Sequence, residues 1–249
     1  MEQPLYLRPR AHFFDELRGL SILLMVLHHA AWDLHNLFGV NIPFLEHPVM
    51  AFLQPLFAGV FVFVSGMVCN ISRSNQRRGL LTLLCAFAIT IVTAVAVPGQ
   101  TVRFGILHLL AAGMLLYGIG QNFWQRCPAA VGFALAGALF VLCWNLPNGC
   151  LGWGRWSLVL PAGWYRFPVG FVFGLPGAGF SSGDYFPLIP WLFLFFAGCF
   201  AGRPVFRLKS PAWLFRLSVP PLAWVGRHTL WIYLLHQPLL FGLMQLLFQ

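Results

Sequence analysis

Several ionisable side chains lie within one apolar stretch near the start of the chain. The stretch covers residues 15–35, DELRGLSILLMVLHHAAWDLH, and it holds Arg18, His28, His29 and Asp33. A charged side chain near the bilayer centre costs roughly 2.5–3.5 kcal/mol on insertion scales, so such groups usually face a cavity and serve a function. His29 and Asp33 are four residues apart and share a helix face. We therefore expect His29 to act as a general base whose imidazole is oriented by Asp33.

The same pair also has a structural interpretation, in which a buried His and a buried Asp only hold two helices together. At the helical rise His29 lies about 16 Å along the axis from Arg18, so it is near the bilayer centre if Arg18 is at the surface. His28 projects roughly 100° away from His29, and we expect it to be structural.

Two more polar groups precede later apolar segments. Arg103 and His108 lie in RFGILH, where they either contact a substrate or serve as an interfacial anchor and a packed core residue. Asp184 and Tyr185 lie in SSGDYFPLIPW. Asp184 either hydrogen-bonds a substrate or caps the helix expected to begin near Pro187, and its spacing favours the cap.

The last apolar segment also carries polar groups. It contains GRHTLWIYLLHQP, with Arg227 near its start and His236 and Gln237 nine and ten residues deeper. These two side chains lie deep enough to need partners, and Pro238 leaves a backbone carbonyl free nearby. We expect a pocket shared with the first segment, with His236 as a second catalytic group and Gln237 in contact with substrate.

The composition decides which elements position these groups. Of the 249 residues, 59% are hydrophobic and 8% are charged, whereas a soluble domain carries about 25% charged residues. The sequence predicts an all-α polytopic membrane helix bundle of about seven spans, as one domain over 1–249 with a cytoplasmic lead-in at 1–16 and the bundle at 17–247. The spans are expected at residues 17–35, 49–69, 80–97, 103–120, 128–146, 188–202 and 222–247. A short or re-entrant helix is expected at 163–174.

The basic residues predict the orientation. With the N-terminus inside, only Arg103, Arg155 and Arg166 of the 15 Lys and Arg residues lie outside, as the positive-inside rule requires. The net charge of +9 therefore reflects topology and does not indicate a nucleic-acid partner. The six Cys residues form no CxxC pair, so we expect neither a disulfide framework nor a metal site.

Some loop residues have an alternative role beyond topology. They could hold an anionic nucleotide cofactor by charge-assisted hydrogen bonds, although the chain has no Walker loop. These residues are Arg73, Arg77, Arg78, Arg207 and Lys209.

Four segments together resemble the heparan-alpha-glucosaminide N-acetyltransferase family, specifically its small bacterial members, within the transmembrane acyltransferase superfamily. The segments are FDELRGLSILLMVLHHAAWDL, RFGILHLLA, DYFPLIPWLFLFFAG and GRHTLWIYLLHQP. The first contains Asp15-x-x-Arg-Gly-Leu, and His29 follows Arg18 by eleven residues, which is similar to the Arg-x10-His signature of that superfamily.

The resemblance implies a multi-pass acetyltransferase of the bacterial cytoplasmic membrane, with the bilayer, acetyl-CoA and a carbohydrate as partners and a homodimer as a possible assembly. It would move an acetyl group from cytoplasmic acetyl-CoA to a sugar amine or hydroxyl outside, without a metal. His29 would occupy the catalytic position, with Asp33 and His236 beside it. Coenzyme A would contact Arg18, Arg73, Arg77, Arg78, Arg207, Lys209 and Arg227. The acceptor would contact Arg103, His108, Asp184, Tyr185 and Gln237, while His236, Gln237 and His108 are candidates for the oxyanion or thioester contact.

Two other classes of protein fit the residues alone. A transporter or flippase also needs intramembrane charge and a polar midplane cavity, but it would not consume acetyl-CoA. A structural bundle protein would tolerate loss of His29 and His236. The scattering of His and Asp over four segments favours the first two classes over the third, and the resemblance favours the enzyme.

Overall fold

The computed structural model describes residues 11–207, 212–216 and 218–248. Within these residues the chain is helical apart from 3-10 turns, connecting loops and one short hairpin. The helices are α1 (His12–Asn36), α2 (Pro48–Val68), α3 (Asn75–Ala96), α4 (Ile106–Ile119), α5 (Gln121–Arg126), α6 (Ala129–Cys143), α7 (Leu188–Arg207), α8 (Pro220–Arg227) and α9 (Thr229–Phe248). The hairpin pairs β1 (Cys150–Leu151) with β2 (Leu158–Val159) in antiparallel register.

Within the described part of the chain, five helical segments are long and apolar enough to cross a membrane: Pro48–Val68, Asn75–Ala96, Ala129–Asn148, Leu188–Phe206 and Thr229–Phe248. The predicted all-α membrane bundle is thereby confirmed. Two predicted spans differ from this group. The helix α4 is apolar but has 14 residues, and α1 has 25 residues but includes acidic and basic side chains. The crossings by α1 and α4 stay predictions.

The segment predicted as one last span, 222–247, is instead two helices. The helix α8 ends at Arg227 and α9 begins at Thr229, with His228 between them. Two prolines start α8, where their missing N–H groups cost nothing. A break of one residue between two apolar stretches leaves no trace in hydropathy, which is why the sequence predicted a continuous helix.

The segment 163–174 forms no continuous helix. It contains two 3-10 turns, Ala162–Arg166 and Gly170–Phe173. Pro168 between them has no N–H to donate. The second turn ends at Gly174 with φ +89°, and a Cβ on Gly174 would overlap the carbonyl oxygen of Ile189. The close approach and the left-handed backbone both require glycine here.

The chain forms two compact units. The first comprises Leu7–Val64 and Ser210–Gln249, and the second comprises Ser65–Lys209, apart from short N-terminal pieces outside the described residues. The boundary falls inside α2. The prediction of one domain over 1–249 stays a prediction.

In the first unit α1 packs against both α8 and α9. The contact with α8 is close because it is made through glycines: a Cβ on Gly19 would overlap the carbonyl oxygen of Leu222, and one on Gly226 would overlap that of Asp15. Small residues allow such approach between helices in a membrane. Glu16 adds a polar contact, since its carboxylate accepts hydrogen bonds from the backbone N–H groups that precede α8, at 2.7 and 2.9 Å.

In the second unit α3 packs on α4, α4 on α7, and α6 on α7. The side chain of Phe195 on α7 is fully buried, and its ring lies against Gly113 of α4. Asn70, after the end of α2, donates to the carbonyl oxygen of Cys199 at 2.9 Å and accepts from the Tyr117 hydroxyl at 3.0 Å. This side chain therefore joins the end of α2 to α4 and to the middle of α7.

Candidate active site

Two imidazoles lie side by side in the first unit, one from α1 and one from α9. The ring centres of His29 and His236 are 5.3 Å apart. The Nδ1 atom of His236 is 2.7 Å from the carbonyl oxygen of Tyr233. A carbonyl only accepts, so Nδ1 carries the hydrogen and the neutral ring keeps its lone pair on Nε2. The first and last apolar segments thus meet at a histidine with an assigned tautomer, and the pocket between them stays a prediction.

Asp33 contacts the residue after His236. The Asp33 side chain is 0% exposed, and its two carboxylate oxygens are 2.8 and 3.1 Å from the Nε2 atom of Gln237. No hydrogen bond joins Asp33 to His29 in the described part of the chain. The carboxylate therefore orients the amide of Gln237, where the sequence led us to expect that it orients the imidazole.

Arg18 and His28 lie on the same helix as His29. The Nη2 atom of Arg18 donates to the Thr229 hydroxyl at 2.7 Å, and its guanidinium lies 5.5 Å from the centre of the Phe61 ring. The first contact joins α1 to the beginning of α9. The ring of His28 lies 6.0 Å from that of His29, at the edge of the histidine pair.

His108 of α4, in the second unit, has both ring nitrogens in hydrogen bonds. The side chain is 5% exposed, and Nδ1 accepts from the Gly105 N–H at 3.3 Å. Its Nε2 lies 3.4 Å from the Thr90 hydroxyl, which itself donates to the Val102 carbonyl at 2.7 Å. Two Phe rings flank the imidazole. These contacts support the second of the two interpretations given above, in which His108 is a packed core residue.

Asp184 caps a helix, but a different one from that predicted. Its Oδ2 accepts from the backbone N–H of Ile106, the first residue of α4, at 2.9 Å. A Cβ on Gly105 would overlap that oxygen. The expectation that Asp184 caps the helix near Pro187 is therefore wrong. Its physical basis, a carboxylate satisfying a free N–H at a helix start, applies to α4 instead.

Tyr185 and Arg103 lie close to this cap. The Tyr185 hydroxyl donates to the Phe171 carbonyl at 2.7 Å. Burial raises the pKa of the Tyr185 phenol, and neighbouring Tyr165 acts in the same direction, so the phenol is a neutral donor. The guanidinium of Arg103 is exposed and lies 5.6 Å from the ring centre of Phe180.

The comparisons with known proteins place the chain in a family. A family profile described as heparan-alpha-glucosaminide N-acetyltransferase, catalytic, matches residues 10–238. The chain belongs to this family. It is a membrane acetyltransferase, and the family in general uses acetyl-CoA as acetyl donor. Neither the curated proteins nor the solved structures contain a match.

The basic residues predicted to contact coenzyme A in this acetyltransferase lie at several places. Arg73 and Arg77 are exposed at the beginning of α3, and Arg78 is half-buried there. The helix is capped by Ser74, whose hydroxyl accepts from the Arg77 N–H at 3.2 Å. Arg227 is exposed at the end of α8. Arg207 is the last residue of α7, and Lys209 lies outside the described residues.

Three features of the acetyltransferase were not predicted. Arg203 lies one residue beyond the predicted span 188–202, yet it belongs to α7 and is 8% exposed. It donates to carbonyl oxygens at the end of α5, those of Trp124, Gln125 and Cys127. No prediction from the sequence covered the Tyr233 carbonyl, which contacts His236, or the Thr229 hydroxyl, which contacts Arg18. Only Tyr233 had a signal in the sequence, since it lies one helical turn before His236.

Proposed function

We propose that the protein transfers an acetyl group from cytoplasmic acetyl-CoA to an amine or hydroxyl of a sugar on the extracytoplasmic side of a bacterial membrane, with His29 as general base. The observation that carries the proposal is the pair formed by His29 and His236 in a helical unit of a membrane acetyltransferase. Acyl transfer needs a base within reach of the acceptor proton. An imidazole titrates in the range where it both takes and returns a proton near neutral pH.

The proposed step is a direct transfer. His29 accepts the proton of the acceptor N–H or O–H while that atom attacks the thioester carbonyl. The C–S bond then breaks, the acetyl group stays on the acceptor, and the thiolate leaves and takes up a proton. His236 supports this step because its Nε2 lone pair, assigned by the Tyr233 carbonyl, provides a second place for the proton beside His29.

We propose different binding residues for coenzyme A and for the sugar. For the phosphates of coenzyme A we propose Arg73 and Arg77, because both are exposed at a helix N-terminus, where anions are stabilised. For the sugar we propose Arg103, whose guanidinium is exposed beside an aromatic ring. Three nearby side chains form hydrogen bonds within the protein, those of His108, Asp184 and Tyr185. We propose that they shape the region around Arg103.

Thiol release from acetyl-CoA by the purified protein in detergent tests the proposal. Glucosamine and a panel of other amino sugars serve as acceptors, and each reaction is repeated with His29→Ala. The matched control is His47→Ala, because His47 is exposed in the loop after α1. We expect release that requires both a sugar and His29. Wild-type protein that releases no thiol with any sugar would contradict the proposed function.

Sidedness has its own test. The protein is reconstituted in vesicles that contain the sugar, and acetyl-CoA is added outside only. Acetylated sugar inside the vesicles supports transfer across the membrane. Product that forms only when both substrates are on one side contradicts it.

A further inference from the structure

Gln237 is held in one orientation by a group that cannot donate. A carboxylate has only acceptor oxygens, and both oxygens of Asp33 lie within hydrogen-bond distance of Gln237 Nε2, at 2.8 and 3.1 Å. The amide must therefore turn its NH2 group towards Asp33. The NH2 group is therefore the end of the amide that Asp33 holds, and Oε1 is the end that faces away from the carboxylate.

The other end of the same amide has no partner. The Oε1 atom of Gln237 is buried and makes no hydrogen bond within the described residues. A buried acceptor without a partner is rare in native structures and unfavourable, so it calls for a functional explanation. Gln237 directly follows His236, whose ring lies beside that of His29. The Gln237 oxygen without a partner therefore lies on α9, the helix that also carries His236.

We propose that Gln237 Oε1 accepts a hydrogen bond from the acyl acceptor and so holds the attacking group, and that Asp33 is a positioning residue acting through Gln237. This inference rests on the proposed function. The acceptor brings an N–H or O–H, which a carbonyl oxygen can bind. Asp33 keeps that oxygen turned to the substrate by occupying the NH2 group. The pair therefore determines affinity for the acceptor and leaves the binding of acetyl-CoA unchanged.

A double variant separates this role from a structural one. Asp33→Leu with Gln237→Met removes both polar partners together, so no buried carboxylate is left without its donor, a change that buried pairs often tolerate. We expect a melting temperature near that of the wild type. The KM for glucosamine should rise about tenfold, the factor given by roughly 1.4 kcal/mol, while the KM for acetyl-CoA stays within about twofold. Where another amino sugar of the panel turns over faster, that sugar is the probe.

Exchange of the two groups provides the rescue. Asp33→Asn with Gln237→Glu lets an amide at 33 donate to a carboxylate at 237, and position 237 keeps an acceptor oxygen. We expect a KM for the sugar within about threefold of the wild type. Gln245→Met, also on α9, is the control and should change neither KM.

Two results would overturn the inference. One is a wild-type KM for the sugar in the Leu/Met double variant. The other is an exchange variant that is stable yet loses as much affinity for the sugar as the Leu/Met pair. Wild-type protein without thiol release would instead overturn the proposed function, and this inference with it.

Discussion

The imidazole of His236 lies 5.3 Å from that of His29, ring centre to ring centre, and the carbonyl of Tyr233 decides which of its nitrogens carries the hydrogen. The two residues come from α1 and α9, helices that are adjacent in the first unit although they lie near opposite ends of the chain. Each ring alone could be an ordinary buried histidine. Their contact, together with the assigned lone pair, gives the acetyltransferase its candidate proton acceptor.

Loss of the second imidazole should affect catalysis. His236→Ala is expected to lower kcat by roughly 10²–10⁴-fold, the range for removing a general acid or base, with little change in melting temperature. The measurement is thiol release at saturating acetyl-CoA. His228→Ala is the matched control, because its Nδ1 also lies 2.8 Å from a backbone carbonyl, that of Trp224. Equal activity in the two variants would remove His236 from the mechanism.

The close contact between α1 and α8 should not tolerate a methyl group. Gly226→Ala places a Cβ against the Asp15 carbonyl, and overpacking of this kind costs roughly 1–3 kcal/mol. We expect the melting temperature in detergent, followed by circular dichroism, to fall by several degrees. Gly242→Ala on α9 is the control, since nothing lies within 4 Å of its added Cβ. If both variants melted alike, the two helices would not pack as described.

Removal of the side chain that caps α4 should lower the melting temperature and should have little effect on the affinity for the sugar. Asp184→Ala leaves the Ile106 N–H without its acceptor, and loss of a capping side chain costs roughly 0.5–2 kcal/mol. Asp184→Asn keeps one acceptor oxygen and should recover most of the loss. Melting temperatures and the KM for glucosamine are measured for both. A raised KM with an unchanged melting temperature would show instead that Asp184 binds the sugar directly.

The positive charge of Arg77 at the beginning of α3 should strengthen the binding of acetyl-CoA. Arg77→Ala is expected to raise the KM for acetyl-CoA about fivefold, as roughly 1 kcal/mol of an exposed phosphate contact would. The effect should shrink at high salt, because exposed charges are screened. Arg126→Ala provides the comparison, since Arg126 is also an exposed arginine and lies at the end of α5. The same KM in both variants at low salt would argue against the assignment.

Much of the fold follows from composition along the chain. Backbone groups in lipid must be satisfied within their own segment, so apolar runs such as Asn75–Ala96 had to be helices. The polar residues inside such runs could also be recognised, because His29, Asp33, His236 and Gln237 are costly there without a purpose. The family resemblance needed only short motifs, and the profile match over residues 10–238 confirmed it.

Only the tertiary structure decided which groups meet. The sequence predicts that Asp33 pairs with His29, its neighbour one helical turn away, but its hydrogen-bond partner is Gln237, 204 residues distant. The spacing favours a cap by Asp184 on the helix that follows it, but Asp184 caps α4, whose first residue lies 78 positions earlier. A sequence shows that a buried carboxylate needs a donor. Which donor it finds depends on the helices that pack beside it, and that packing is set by close contacts such as Gly226 against Asp15, which local sequence patterns do not encode.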